Sequence, residues 1–170
     1  MLTDWLSGAA AWQAIALISA IWAAIGLASG FGAQFLGSDF LLRDNWLTRP
    51  RRFEDNGRVY ERRLRISRWK DRLPEAGTAF GGASSKRTLM GTSSEDLELF
   101  GAETRRAEYV HWTNIAAAPA FLVVLPPLAT LAMTGFACSA HLPFILVQRY
   151  NRFRIGRIVE SRARRGAARC

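Results

Sequence analysis

Two long blocks without a charged side chain constrain this 170-residue chain more than any other feature. No Asp, Glu, Lys or Arg lies between Asp4 and Asp39. None lies between Trp112 and Arg149, where His141 is the one basic side chain. A helix needs about 20 apolar residues to cross a hydrocarbon layer of roughly 30 Å. The first block therefore holds one span, at about residues 12–36. The second is too long for one span and just long enough for a tight hairpin of two, at about 112–125 and 128–150, the first of them short and open to extension into the preceding helix or to a re-entrant course. Pro126-Pro127 marks the break between them, because consecutive prolines cannot continue a helix. The expected fold class is an all-α membrane protein with about three transmembrane helices, forming a single domain over 1–170.

Charge placement gives the orientation. Lys and Arg number 23 against 14 Asp and Glu, for a net charge of +9. Eleven of these cations fall between Arg43 and Arg72 and eight between Arg149 and Arg169, each group directly after an apolar block. Loops with such a bias stay cytoplasmic. The reading is an outside N-terminus, a cytoplasmic loop over 37–111, a proline turn outside and a basic cytoplasmic tail over 151–170. Anionic membrane lipid accounts for the charge as a partner, and no nucleic acid is needed. The first block is read as a retained anchor, since it carries Asp4 in place of a basic leader and is long for a cleaved signal. Localisation follows as cell membrane, multi-pass. Trp5 and Trp12 suit the outer interface. Gly26-x-x-x-Gly30 permits close helix contact or reflects only the glycine content of membrane helices. Cys138 and Cys170 indicate neither a disulfide framework nor a thiolate metal site.

Between the blocks, Pro50, Pro74 and Gly81-Gly82 divide a basic, turn-rich segment into short pieces. Leu64, Ile66 and Trp69 are apolar points within its charge. They predict a basic interfacial loop, with arginine stems packed along acyl chains and their heads in water. An amphipathic cytoplasmic helix follows. Ser93 or Ser94 caps its start, and Glu95, Asp96 and Glu98 occupy the turns where the helix dipole favours acids. Leu97, Phe100, Thr104, Ala107 and His111 recur at three- and four-residue steps and share a face. The helix runs straight into the second block at Trp112.

The densest chemistry lies in Glu103-Thr-Arg-Arg-Ala-Glu108-Tyr-Val-His111-Trp112. A histidine at the mouth of a membrane helix suits general-base work, with Glu108 or Glu103 orienting the ring and stabilising its charged form. The plainer reading pairs Glu108 with Arg105 on a solvated face and leaves His111 as an interfacial residue. Glu108-x-x-His111 also has the spacing of half a carboxylate-bridged di-iron site. A second copy is missing, so no metal is expected. His141 is an ionisable group in an apolar block, where such groups face protein or a cavity. With Pro143 loosening the backbone nearby, it serves a helix contact or the substrate site. Gln148-Arg149-Tyr150-Asn151-Arg152, continuing to Arg154 and Arg157, reads as a set of interface anchors or as an anion site for a phosphate-bearing donor.

In this order, the motifs resemble the glycosyl-4,4'-diaponeurosporenoate acyltransferases of bacterial carotenoid synthesis. The likeness is carried by Trp69-Lys70, by Arg87-x-Leu89-Met90, and by Glu103-Thr104-x-Arg106-Ala107-Glu108-x-x-His111-Trp112. Its last part is Pro143 followed by Val147-Gln148-Arg149-Tyr150-Asn151-Arg152 and Arg154. It covers roughly Trp69 to Arg154. The resemblance implies a small membrane protein that transfers a fatty acyl group to a sugar hydroxyl of a glycosylated carotenoid. One departure stands out: the family pattern has Asn two residues before the proline, and this chain has His141. That leaves a different glycosylated carotenoid or an isoprenoid glycoside open as acceptor.

On this basis the expected catalytic residues are His111, Glu108 and Glu103. Arg106, Trp112, His141, Gln148, Arg149, Tyr150, Asn151 and Arg152 are expected to line the substrate site. Acyl-CoA or acyl-carrier protein is the expected donor, and no separate cofactor is expected. The His-x-x-x-x-Asp box common in acyltransferases is absent, since Ala116 and Leu146 occupy the fifth positions after His111 and His141. The alternative function is a non-enzymatic membrane scaffold or lipid- or carotenoid-binding protein, in which Glu103, Glu108 and His111 make structural contacts only.

Overall fold

The structure, a computed structural model, describes residues 11–74 and 93–167. Trp5, Gly81-Gly82 and the Arg87-x-Leu89-Met90 motif lie outside the described residues. Helix α1, Ala11–Gly32, draws on the first charge-free block and tightens into a 3₁₀ turn over Ala33–Phe35. Leu36 ends it in extended backbone. Trp12, Ile15, Leu27, Phe31 and Phe35 all remain exposed along it. With its 3₁₀ turn, the 25 residues Ala11–Phe35 are long and apolar enough to cross a membrane, yet only 6% of their apolar window is buried by protein. A soluble core helix of this composition would bury most of that surface.

A short helix α2, Ser38–Leu42, leads into the basic segment. A 3₁₀ turn at Arg52–Gly57, helix α3 at Arg58–Arg62, and two further 3₁₀ turns at Ile66–Arg68 and Lys70–Arg72 follow. Asp55, Asn56 and Gly57 take successive positive φ values of 46°, 50° and 85°. That left-handed run reverses the chain sharply. At Gly57 it brings the backbone so close to the helix Pro127–Ala167 that an added Cβ would lie 2.6 Å from the Phe153 Cβ. Only glycine combines that φ with that proximity.

Helix α4, Ser94–Ala117, is capped by Ser93, whose hydroxyl accepts from the Asp96 N–H while the Asp96 carboxylate accepts from the Ser93 N–H. This reciprocal arrangement satisfies two donors at the helix start. The Ser93 hydroxyl also holds the Asp96 carboxyl below its ordinary range. A 3₁₀ stretch, Ala118–Val123, reverses the chain, and helix α5 then runs from Pro127 to Ala167. Proline suits a first helical position, where its missing N–H has no partner to lose.

These elements add detail to the expected segments. As the sequence led one to expect, α4 continues through Trp112, reaching Ala117 before it passes into the 3₁₀ stretch. Helix α5 does not end near residue 150 but carries the basic tail as helix to Ala167, and it stays helical through Pro143. Two helices among the described residues, Ala11–Phe35 and Pro127–Arg165, are long and apolar enough to cross a membrane.

The basic loop also folds onto protein. Ile66 is completely buried and Tyr60 nearly so, in a cluster with Val147 and Tyr150 that Trp69 and Phe153 flank. Leu64, the third of the expected surface points, stays at the edge with 38% of its surface exposed. The pattern misled because Tyr60, Ile66 and Trp69 meet a helix distant in sequence, and local spacing carries no trace of that contact.

Helices α4 and α5 form an antiparallel hairpin. Leu97 and Phe100 near the start of α4 pack with Ile155 late in α5, while His111 further along α4 meets His141 nearer the start of α5. Helix α1 lies against this pair. Trp22 packs on Phe121 and Phe136, with ring centroids 5.0 and 6.2 Å apart, and Asn114 donates to the Ser29 hydroxyl at 3.1 Å.

Candidate active site

The site is assembled where the polar end of the hairpin meets the folded loop. Glu108 lies on the face of α4 that meets α5 and is fully buried. Its Oε1 accepts from Arg149 Nε at 2.9 Å and from Trp112 Nε1 at 3.2 Å. Its Oε2 accepts from Arg152 Nη2. Arg149 also donates from Nη1 to Glu54 Oε1 at 2.8 Å, and from Nη2 to the Leu47 carbonyl. Glu54, fully buried as well, accepts in addition from the Tyr60 hydroxyl and the Arg51 N–H. Two carboxylates and two guanidiniums thus cancel one another in the interior. Each lone charge would be costly there, and the set is tolerable because it is paired and hydrogen-bonded. Burial, reinforced by the bond to Glu54, pushes the Tyr60 hydroxyl well above the ordinary phenol range.

A second ionic unit lies on the neighbouring face of α4. Arg106 pairs with Glu103, and Arg105 pairs with Asp44 at 2.5 Å. Tyr109 accepts from Asn45 Nδ2 and its ring stacks near Phe40. These contacts pin the chain after α2 to the same helix.

One turn beyond Glu108, the His111 ring is held from α5. His111 Nδ1 and His141 Nδ1 lie 3.0 Å apart, and Phe144 stacks on the His111 ring at 4.7 Å with 22° between planes. Both histidines are half-buried. The structure therefore brings His111 and His141 together. It brings Glu108, Trp112, Arg149 and Arg152 together in the adjoining network. The carboxylate expected to orient His111 instead receives guanidiniums, because the same face of α4 meets Arg149 and Arg152 two to three turns beyond His141 on α5. Tyr150 belongs to the apolar cluster with Tyr60 and Ile66, and Glu103 to its pair with Arg106. Gln148 and Asn151 are buried, and their amide nitrogens, with Arg152 Nη1, lack hydrogen-bond partners among the described residues.

Beside this network opens a cleft of about 730 Å³. Arg149 and Arg152 form its floor, and Arg58, Arg62, Arg105, Arg157 and Arg164 line it further. The carboxylates at its wall, Asp44, Glu54, Glu61 and Glu160, number four against these seven guanidiniums. Ion pairs already answer six of the seven: Arg149 and Arg152 meet Glu54 and Glu108, Arg105 meets Asp44, Arg157 meets Glu61, Arg164 meets Glu160 and Arg58 meets Asp55, so a phosphate would bind there by displacing carboxylates from an arginine-rich lining. Glu54, Tyr60 and Asp44 escaped the sequence reading. Glu54 sits in a run of alternating charge, and nothing local distinguishes it from solvated neighbours such as Asp55 and Glu61.

The family model described as glycosyl-4,4'-diaponeurosporenoate acyltransferase matches residues 43–161, the stretch that holds the loop, the hairpin and the site between them. A relative of that name in Staphylococcus haemolyticus is 33% identical over 118 residues, covering 69% of this chain and 68% of its own. One in Staphylococcus aureus is 31% identical over 114 residues, covering 67% and 68%. No solved structure matches the chain. By the extent of the matched stretch and these identities, the chain belongs to the glycosyl-4,4'-diaponeurosporenoate acyltransferase family, a family of acyl-transferring enzymes.

Proposed function

We propose that this acyltransferase works in the cell membrane, as one multi-pass domain over 1–170, and esterifies a sugar hydroxyl of a glycosylated carotenoid with a fatty acyl group from an acyl thioester. Family membership supports the reaction class. The observation that carries the residue-level reading is the imidazole of His111, fixed by His141 and Phe144 one turn from the Glu108–Arg149–Arg152 network.

His111 acts as general base. As the sugar oxygen bonds to the thioester carbonyl carbon, the imidazole takes the hydroxyl proton. The carbon–sulfur bond then breaks, and the departing thiolate receives that proton back, leaving a free thiol and an ester. Proton transfer by a positioned imidazole contributes about 10²- to 10⁴-fold in rate. The donor is acyl-CoA or acyl-carrier protein, whose phosphates the arginine-lined cleft suits. Arg149 and Arg152 act from within their ion network, and Glu108 holds them in place. Gln148 and Asn151 supply amide donors for the substrate oxygens, Trp112 keeps its indole N–H on Glu108 at the edge of the site, and Glu103 keeps Arg106 in position.

The three apolar passes are α1, the short 112–125 segment and residues 128–150 of α5. In this arrangement the loop and the C-terminal part of α5 share the cytoplasmic face with anionic lipid.

The test is purified protein in detergent or nanodiscs, given acyl-CoA and a glycosylated carotenoid. The expected outcome is release of CoA with formation of the acylated glycoside, whereas a membrane scaffold releases none. A His111→Ala variant is expected to lose about 10²-fold or more in turnover. Full acylation by well-folded His111→Ala protein rules out the assigned base.

A further inference from the structure

The contact between the two histidines is nitrogen to nitrogen, and that fixes more than position. At 3.0 Å, Nδ1 of one ring must donate and Nδ1 of the other must accept. With one proton between them, each ring's remaining nitrogen is determined. If His141 donates, neutral His111 accepts on Nδ1 and carries its own proton on Nε2, so it has no lone pair to offer a substrate. If His111 donates, its Nε2 carries the lone pair and can act as a base.

We propose that His141 is a positioning residue: it accepts the Nδ1–H of His111 and so holds the catalytic imidazole in the tautomer whose Nε2 takes the sugar proton. The inference rests on the base reading above. Three features support it. First, the contact joins facing helices rather than neighbours on one helix, so it is set by the packing of α4 against α5. Second, Phe144, three residues after His141 on the same helix, stacks on the His111 ring and fixes its plane. One element thus controls both the tilt of the imidazole and its tautomer. Third, the carboxylate nearest in sequence is committed elsewhere, since both oxygens of Glu108 accept from arginines. A neutral imidazole can perform the orienting task that a carboxylate performs in many hydrolases and transferases.

The arrangement also serves the charged intermediate. When His111 takes a proton on Nε2, its Nδ1–H remains directed at the His141 lone pair, and the hydrogen bond becomes charge-assisted and stronger. The opposite tautomer would place two N–H groups against each other once His111 accepted a proton on Nδ1, so the contact could not survive.

The chain contains two histidines, so ring-¹⁵N labelling reads the site with little overlap, and either single variant leaves one imidazole. Full-length protein labelled in histidine is prepared as wild type, His141→Asn and His141→Leu. Asparagine keeps an oxygen that can accept from Nδ1–H, whereas leucine removes the acceptor at similar bulk. The expected result is the Nδ1–H tautomer of His111 in wild type and in His141→Asn, with a change to mainly Nε2–H in His141→Leu. Turnover is expected to fall about 10²-fold or more in His141→Leu, with KM little changed, and to recover substantially in His141→Asn. A wild-type His111 found as Nε2–H overturns the proposal. So does a His141→Leu protein with unchanged tautomer and turnover. If the tautomer behaves as stated but His111→Ala protein still acylates, the base reading fails and the inference falls with it, and that failure is distinguishable from failure of the hydrogen bond itself.

Discussion

At the scale of single residues, the interior network is sensitive to loss of one member. Glu108 is fully buried and answers two guanidiniums, so Glu108→Gln leaves Arg149 and Arg152 short of countercharge. Breaking a buried pair by removing one partner costs about 3–5 kcal/mol. The expected outcome is a folded state weakened by that order, read as a shifted midpoint in denaturant titration of detergent-solubilised protein. Glu103→Gln removes the countercharge of one guanidinium in a pair that keeps some solvent access, and is expected to shift the midpoint by less than Glu108→Gln does. Glu108 and Arg149 were legible as important because they stand in dense motifs. Their mutual attachment was not, since the partners lie 41 residues apart and Arg105 offered an equally plausible partner one turn away. Glu54 was harder still, because its value comes from Tyr60 and Arg149 closing over it, and burial is a property of the assembled chain.

At the scale of elements, the loop is held by a turn with no tolerance for a side chain. Gly57 combines a φ of 85° with a backbone approach to Phe153 that leaves no room for a methyl group. Gly57→Ala therefore incurs about 1–2 kcal/mol for the left-handed backbone alone, with the steric conflict added. The expected outcome is earlier protease cleavage within 43–72 than in wild type, with α1 unaffected. The amphipathic helix was readable from its Ser-and-acid start and its apolar spacing, both local signals. The 3₁₀ reversal before Pro127 was only partly readable. The proline pair marked the break, but the end of α4 at Ala117 depends on Pro119, which the apolar run concealed. The inward fold of the loop was not readable, because Ile66 looks alike whether it meets lipid or Tyr150.

At the scale of the whole molecule, charge-free blocks and cation clusters are the most reliable signals, since the cost of placing arginine in hydrocarbon does not depend on fine packing. The same argument predicts sidedness. Single cysteines placed at Arg63 and Arg164 in a background lacking Cys138 and Cys170 are expected to react with impermeant reagent from the cytoplasmic side only, in inverted vesicles and not in intact cells. Reaction of the two positions from opposite faces would dismantle the arrangement. The long reach of Arg149 has a final consequence, for biogenesis. It closes on the Leu47 carbonyl and on Glu54, 102 and 95 residues earlier in the chain. The loop therefore leaves the ribosome long before the group that locks it exists. Until α5 is made, the loop lacks its closing partner, and on the membrane placement proposed above its eleven cations would meet the headgroups as an open strap. The enzyme's polar network is complete only once Arg149 has been made, so a product cut short before it would lack the group that joins Glu54 to Glu108.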